Sequence, residues 1–260
     1  MIKSVFSGIK SVKYDIALIA TLIIARGSFV DVNQIPSESM LPLMHVNDYV
    51  LVDKRAYSLR VPELFNRFAS TEPYEIHLAR WSTPQRGDVI TFIESESNKL
   101  FIKRVIGVAG DQVELIGTQY YVNGEPLALQ QDNNSEYAAS GFTTFMESNN
   151  GANYPVRFSD DVTKVYEGVD SGSEGVRKLT ERVLQKRYGK WEVPEGKIFV
   201  SGDNRDQSYD SRYFPYTFVD VKSVTGKATK ILLNVDTVEV LGMNMPNVFT
   251  GMSNFWRSIY

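Results

Sequence analysis

Two serines stand in a stretch bracketed by prolines, Ile35-Pro36-Ser37-Glu38-Ser39-Met40-Leu41-Pro42. Proline fixes its own φ and biases its predecessor toward extended backbone, so the segment is stiff and can hold a hydroxyl in one orientation. A plain loop would read the same way. The second candidate is Leu100-Phe101-Ile102-Lys103-Arg104-Val105-Ile106-Gly107, two adjacent cations inside an apolar run. On a strand, Lys103 and Arg104 point to opposite faces, so one of them meets a largely apolar side. A lysine held there loses the solvation of its charged form, its pKa falls toward neutrality, and it becomes a usable base. The competing expectation is that both cations snorkel from an edge strand. The third candidate runs from Val200 through Gly202-Asp203-Asn204-Arg205 and Ser208 to Asp210-Ser211-Arg212-Tyr213-Phe214. Short polar side chains can hold such an irregular loop in one shape, and its charged residues can fasten it to the strand carrying Arg104. Arg86-Gly87-Asp88-Val89 reads as a turn entering a strand, with a structural role only.

The composition narrows the chemistry. There is no cysteine, which removes disulfides, thiol nucleophiles and thiolate metal sites, and only His45 and His77 are present. Neither a metal nor a cofactor is expected. His45, six residues beyond Ser39, is an alternative base, but no triad arrangement can be read from spacing. Twenty-eight basic against 31 acidic residues leave a net charge of −3, which excludes the concentrated basic face that nucleic acid requires.

The elements that must carry these residues are mainly short strands. Tyr49–Asp53, Val89–Ile93, Leu100–Ile106, Val113–Leu115, Tyr120–Asn123, Lys197–Ser201 and Val224–Leu232 are rich in Val, Ile, Phe and Tyr. Asn123-Gly124 predicts a hairpin turn, and one helix is expected near Leu59–Phe68. From Ala128 to Gly189 polar Asn and Gly clusters predict an inserted lobe, and the Met and aromatic residues after Asp236 predict core packing, with membrane contact as the alternative. The expected fold is therefore mainly β: an antiparallel β-sheet core over 33–127 and 190–235, a smaller inserted lobe over 128–189, and a tail over 236–260.

The N-terminus predicts a membrane-anchoring helix. Residues 1–13 carry Lys3, Lys10 and Lys13 without an acid and read as an amphipathic cytoplasmic stretch. Ile16–Ala25 is apolar apart from Thr21. Ten residues span only about 15 Å of a roughly 30 Å hydrocarbon core, so an anchor over 14–32 needs its flanks, with Lys13 and Arg26 snorkelling. A cleavable signal peptide is the other reading. Both place everything after Arg26 on the outer side of the membrane.

Taken together, the motifs resemble those of bacterial type I signal peptidases, the membrane-anchored enzymes that cleave leader peptides from exported proteins. Pro36-Ser37-Glu38-Ser39-Met40 with Pro42 is similar to the nucleophile box, and Lys103-Arg104 with Gly107 and Gly110-Asp111 to the lysine box. Gly202-Asp203-Asn204-Arg205 through Tyr213 is similar to the third signature, and the boxes occur in family order. Leu43 and Ala109 depart from the pattern, at the positions where Thr and Pro are usual.

This resemblance implies a Ser/Lys dyad, with Ser39 as nucleophile and Lys103 as general base. It makes Ser208 a hydrogen-bond partner of Lys103, Ser37 with the Ser39 N–H an oxyanion hole, and Arg104, Asp203, Asp210 and Arg212 the supports of the site. Ile35, Pro36, Met40, Phe101 and Ile102 are expected to cover the dyad and shape shallow pockets for small residues before the cut. The implied partners are preprotein signal peptides and membrane lipids, and a monomer is expected. Two other readings stay open: a specialised Ser/Lys processing peptidase of a secretion or conjugation system, and a catalytically silent tethered domain that binds exported chains.

Overall fold

The computed structural model describes residues 14, 15, 17, 18, 21, 28–60, 77–133, 135–166, 188–240, 243–247 and 256–260. β-Branched and aromatic segments form strands throughout it. The first are β1 (Val30–Gln34), β2 (Asp48–Asp53), β3 (Ser58–Arg60), β4 (His77–Arg80), β5 (Val89–Ile93) and β6 (Leu100–Val108). Next come β7 (Gln112–Ile116), β8 (Gln119–Val122), β9 (Glu125–Pro126), β10 (Ala128–Gln131), β11 (Phe142–Asn149) and β12 (Ala152–Ser159). The remainder are β13 (Tyr188–Glu192), β14 (Lys197–Ser201), β15 (Val219–Asp220), β16 (Val224–Asn234), β17 (Asp236–Val240), β18 (Met243–Asn247) and β19 (Arg257–Ser258).

The main sheet has the order β1-β2-β16-β5-β6-β14-β15, with β19 also on β16. Its pairings are antiparallel. β6 therefore lies inside the sheet, flanked by β5 and β14, and offers Lys103 and Arg104 no edge from which to reach solvent. Both are buried. Apolar groups pack around this strand in separate clusters. Ile35, Met40, Val50, Val89, Ile102, Ile231 and Ile259 form one, while Ile90, Phe92, Val105, Val200 and Phe214 form another. Each such side chain contributes roughly 1.5–3 kcal/mol by leaving water, which is what fixes the backbone on either side of the two cations.

A smaller sheet, β13-β7-β8-β9, packs its Val113, Leu115, Tyr120 and Val122 with Ile106 and Phe199 of the main sheet. Asn123 and Gly124, at φ 56° and 84°, make the expected two-residue turn between β8 and β9. Left-handed backbone at both central residues matches the twist of the paired strands.

Several expectations are corrected. Leu59 and Arg60 lie in β3, paired with β4, where a helix was expected; residues 61–68 lie outside the described residues. Val30–Val32, the expected end of the anchor, belong to β1 and face Asp53, Val52 and Leu51. Tyr14, Asp15, Ala17, Leu18 and Thr21 are helical, while residues 1–13 and, within the anchor, residues 16, 19, 20 and 22–27 lie outside the described residues. Among the described residues no helix is long and apolar enough to cross a membrane.

The insertion holds a three-stranded sheet, β10-β11-β12, and a short helix, Asp160–Tyr166. Its Asn150-Gly151 pair forms a hairpin turn, and the Asn149 side chain is buried, donating to the carbonyl of Ile106 at 3.2 Å. Tyr188 and Gly189 leave the insertion at its end, pairing with Ile116 and Leu115 in the β7 sheet. At the C-terminus Ile259 is in the core, and Tyr260 Oη accepts from Val89 N at 2.7 Å. Trp256 is 53% exposed rather than packed in the core, and Phe249 and Phe255 lie outside the described residues.

Candidate active site

Ser37 is extended (φ −141°, ψ 162°) and starts a single 3₁₀ turn over Glu38–Met40, which Leu41, extended before Pro42, terminates. Met40, fully buried, anchors this turn in the core and fixes the adjoining Ser39. The turn is also held from outside: Asn204 N donates to the Ser39 carbonyl at 3.1 Å and Asn204 Nδ2 to the Glu38 carbonyl at 3.0 Å. Ser39 Oγ lies 3.3 Å from Ser37 Oγ.

Lys103 comes from β6, opposite Ile90 of β5. Its Nζ is 2.7 Å from Ser39 Oγ and donates to its neighbour's carbonyl, Ile102 O, at 2.8 Å. The Phe101 ring centre lies 5.5 Å from the same nitrogen. Burial pushes the Lys103 pKa down from 10.5 to about 8; Asp210 and Asp203 pull it back up, and Arg212 pushes it down again. A buried amine without a carboxylate bonded to it is poised between its two protonation states near pH 8.

Arg104 takes the other face. It donates from Nε and Nη2 to the two Asp203 oxygens at 2.8 and 2.7 Å and from Nη1 to Gly87 O at 2.9 Å. Its guanidinium lies 3.6 Å from the Tyr154 ring centre. Burial alone would lower its pKa, but Asp203 overcomes that and raises it, so the cation stays charged. Register explains the pairing: Arg104 stands opposite Ser201, the last residue of β14, and Asp203 follows two residues later.

The rest of the 202–214 loop is braced by charge. Asp210 accepts from Gly202 N at 2.9 Å and from Arg212 Nε and Nη2 at 2.8 and 2.7 Å. Burial would raise the Asp210 pKa; Arg212 outweighs it and holds the carboxyl below its usual range. Arg205, fully buried, is met by Glu147 of the insertion through two bonds, 2.7 Å at Oε2 and 2.5 Å at Oε1. Tyr154 Oη donates to the same Glu147 at 2.7 Å.

The structure thus brings Ser37, Ser39 and Lys103 together and places Arg104, Asp203, Asp210 and Arg212 around them. Ser208 differs from expectation. Its buried Oγ makes no bond to Lys103 and faces the Asp210 carboxylate, whose pKa it helps to lower, and Lys103 turns instead to Ile102 O. Ile35 is only 2% exposed, and with Met40 it is committed to the core, which leaves little of either to line a pocket. Ile102 sits in that same cluster, Phe101 is partly buried, and Pro36 is exposed. His45 pairs with Asp48, 4.0 Å away, with its backbone N–H also donating to that carboxylate. Among the described residues no cluster could hold a metal ion.

Sequence reasoning missed Glu147, Tyr154 and Arg157, all from the insertion, as well as the role of Asp88. Asp88 accepts from Tyr57 Oη at 2.7 Å and from Lys227 Nζ at 2.5 Å. A buried Arg205 demands a carboxylate, but neither its burial nor its partner 58 residues away can be read from the chain.

The profile of one family, described as "Signal peptidase, peptidase S26", matches residues 9–233. The chain belongs to this family. Among its relatives is Signal peptidase I of Buchnera aphidicola subsp. Schizaphis graminum, 30% identical over 231 residues, covering 79% of this chain and 69% of that protein. Signal peptidase I of Pseudomonas aeruginosa is 33% identical over 195 residues. That match covers 74% of this chain and 58% of the relative, so the chain spans little more than half of that relative's length. A crystal structure of a signal peptidase I from Enterococcus faecalis is 25% identical, covering 57% of this chain and 98% of that one, with a TM-score of 0.34.

Proposed function

We propose that this chain is a membrane-anchored serine endopeptidase that removes N-terminal signal peptides from exported preproteins after small-x-small sites. The anchor crosses once with its N-terminus in the cytoplasm, and the β core works on the outer side. Ser39 is the nucleophile and Lys103 the general base. The observation that carries this reading is the 2.7 Å separation of Lys103 Nζ and Ser39 Oγ in buried surroundings. Relatives named Signal peptidase I supply the substrate class.

The chemistry follows from the geometry. The neutral Lys103 amine accepts the Ser39 proton as Oγ forms a bond to the scissile carbonyl carbon. The oxygen that becomes negative is met by the Ser37 hydroxyl, which leads into the 3₁₀ turn, and by the Ser39 N–H within it; a donor held ready before reaction contributes about 3–4 kcal/mol. When the C–N bond breaks, the Lys103 ammonium returns its proton to the leaving amine. Lys103 next takes a proton from water as that water attacks the acyl-enzyme. Collapse then releases the carboxylate and restores the Ser39 hydroxyl. Arg104, kept charged by Asp203, fastens the loop to β6, and Arg212, kept charged by Asp210, braces it internally, without either adding a base of its own.

The test is incubation of the purified full chain with a preprotein carrying an Ala-x-Ala site, beside Ser39→Ala and Lys103→Ala. Cleavage by wild type at that site, lost in both variants, is the expected result. A folded wild-type protein that binds the preprotein without cutting it would replace this reading with that of a tethered binding domain. Cleavage confined to one unusual substrate would narrow it to a specialised processing peptidase.

A further inference from the structure

Glu38 stands between the two serines, on the very turn where negative charge develops if Ser39 is the nucleophile. Consecutive Cα atoms are 3.8 Å apart, so a Glu38 carboxylate is confined to within roughly 10 Å of the reacting oxygen. Like charges at that range oppose each other unless something intervenes. In this chain something does: Arg157 Nη2 lies 3.8 Å from Glu38 Oε2.

Arg157 is an odd residue to find there. Its side chain is 7% exposed while that of Glu38 is 60% exposed, and its Nε is buried without an acceptor. The guanidinium lies 4.0 Å from the Phe142 ring centre. A cation buried with a single long ionic contact is an unfavourable way to stabilise a fold, and an apolar side chain of similar size would do it better. Its backbone is nevertheless tied to the active-site loop, since Arg157 N donates to Asp203 O at 3.0 Å and Arg205 N to Arg157 O at 3.1 Å. The loop that holds Asn204 against Ser39 thereby also presents the guanidinium to Glu38. Burial pushes the Arg157 pKa down and Glu38 pushes it back up.

We infer that Arg157 is a positioning residue that acts through Glu38, neutralising a carboxylate which would otherwise oppose the oxyanion formed beside Ser37 and Ser39. The inference rests on the Ser39 nucleophile reading. It gives the insertion a role in the reaction: β12 delivers the counter-charge that the 3₁₀ turn needs. Because Glu38 is exposed, the effect is partly screened by salt, with a Debye length of about 8 Å at 0.15 M ionic strength.

The experiment compares wild type, Ser39→Ala, Arg157→Met, Arg157→Lys, Glu38→Gln and the Arg157→Met/Glu38→Gln pair on an uncharged peptide with an Ala-x-Ala site, at low and high salt. Arg157→Met is expected to lower kcat about five- to tenfold at low salt with little change in KM, and less at 0.5 M salt. Arg157→Lys is expected to keep most of the rate, and adding Glu38→Gln to Arg157→Met to restore it to within about twofold of Glu38→Gln alone. A double variant as slow as Arg157→Met at every salt concentration overturns the inference and leaves Arg157 as packing for Phe142. Absence of cleavage by folded wild type, equal to that of Ser39→Ala, removes the nucleophile reading and this inference with it.

Discussion

Lys103 and Arg104 leave the same strand on opposite faces, and their charges are treated in opposite ways. Among the described residues the amine is bonded only to Ser39 Oγ and Ile102 O, whereas the guanidinium donates to both oxygens of Asp203. Burial is common to the two. The difference is the carboxylate in direct contact, which keeps one cation permanently charged and leaves the other free to lose its proton. A strand interior with period two is what permits such a separation over one residue.

Activity should follow the neutral form of Lys103. With its pKa pushed to about 8, roughly a tenth of the amine is neutral at pH 7 and half at pH 8. The expected kcat/KM for an Ala-x-Ala peptide rises about tenfold per pH unit below 7, bends near pH 8 and levels above 9. A rate that is flat between pH 6 and 9 would show that no group of this pKa limits the free enzyme.

The same shift has a stability consequence. The folded pKa of Lys103 lies below its unfolded value, so between about 8 and 10.5 the unfolded chain binds the extra proton and stability rises with pH. Below pH 8 the destabilisation is fully present, of the order of 3 kcal/mol. Lys103→Met should therefore be more stable than wild type in urea unfolding at pH 7, with the gap closing as pH passes from 8 toward 10.5. A variant less stable than wild type at pH 7 would mean that packing around the amine outweighs its desolvation.

How much of this was legible in the chain depended on how local the cause was. Val89–Ile93 and Lys197–Ser201 were read residue for residue, because alternation and bounding turns are local properties. The Asn123-Gly124 turn was legible for the same reason. Leu59 and Arg60 were not, since their strand exists only through pairing with residues after 76. Similarly, Val30–Val32 read as the apolar end of an anchor, but β2 lies beside them and takes them into the sheet. At the site, Ser39 and Lys103 sit in recognisable boxes, while Glu147 was invisible: its partner Arg205 is 58 residues away, and only the placement of β11 brings them together. The missing Ser208 bond to Lys103 shows the same limit at finer scale, because a motif specifies a residue and not its rotamer.

Glu147 should prove costly to remove. Arg205 is fully buried and its guanidinium is met by both Glu147 oxygens, with Tyr154 donating to the same carboxylate. Breaking one side of such a pair strands a buried charge, typically at a cost of about 3–5 kcal/mol. Glu147→Gln should lower unfolding stability by an amount in that range, measured by urea titration, while Glu147→Leu with Arg205→Met should recover most of it. If Glu147→Gln changed stability by less than about 1 kcal/mol, water would have to reach Arg205.

Gly202 is where a single methyl group should do the most damage. A Cβ there would land on the carbonyl oxygen of Ser39 and on Oγ and Cβ of Ser208. The first of these is backbone of the 3₁₀ turn that carries Ser39, itself fixed by Asn204 N, so it cannot swing aside as a side chain would. Overpacking of this kind costs about 1–3 kcal/mol when the structure can relax. Relaxation here means moving Ser39 relative to Lys103, and a shift near 1 Å at a reacting group can lower a rate about a hundredfold. Gly202→Ala is therefore expected to lose at least that much in kcat while remaining folded by circular dichroism. A variant that kept wild-type kcat would mean that the loop moves as a whole, carrying Asn204 and the Ser39 carbonyl with it.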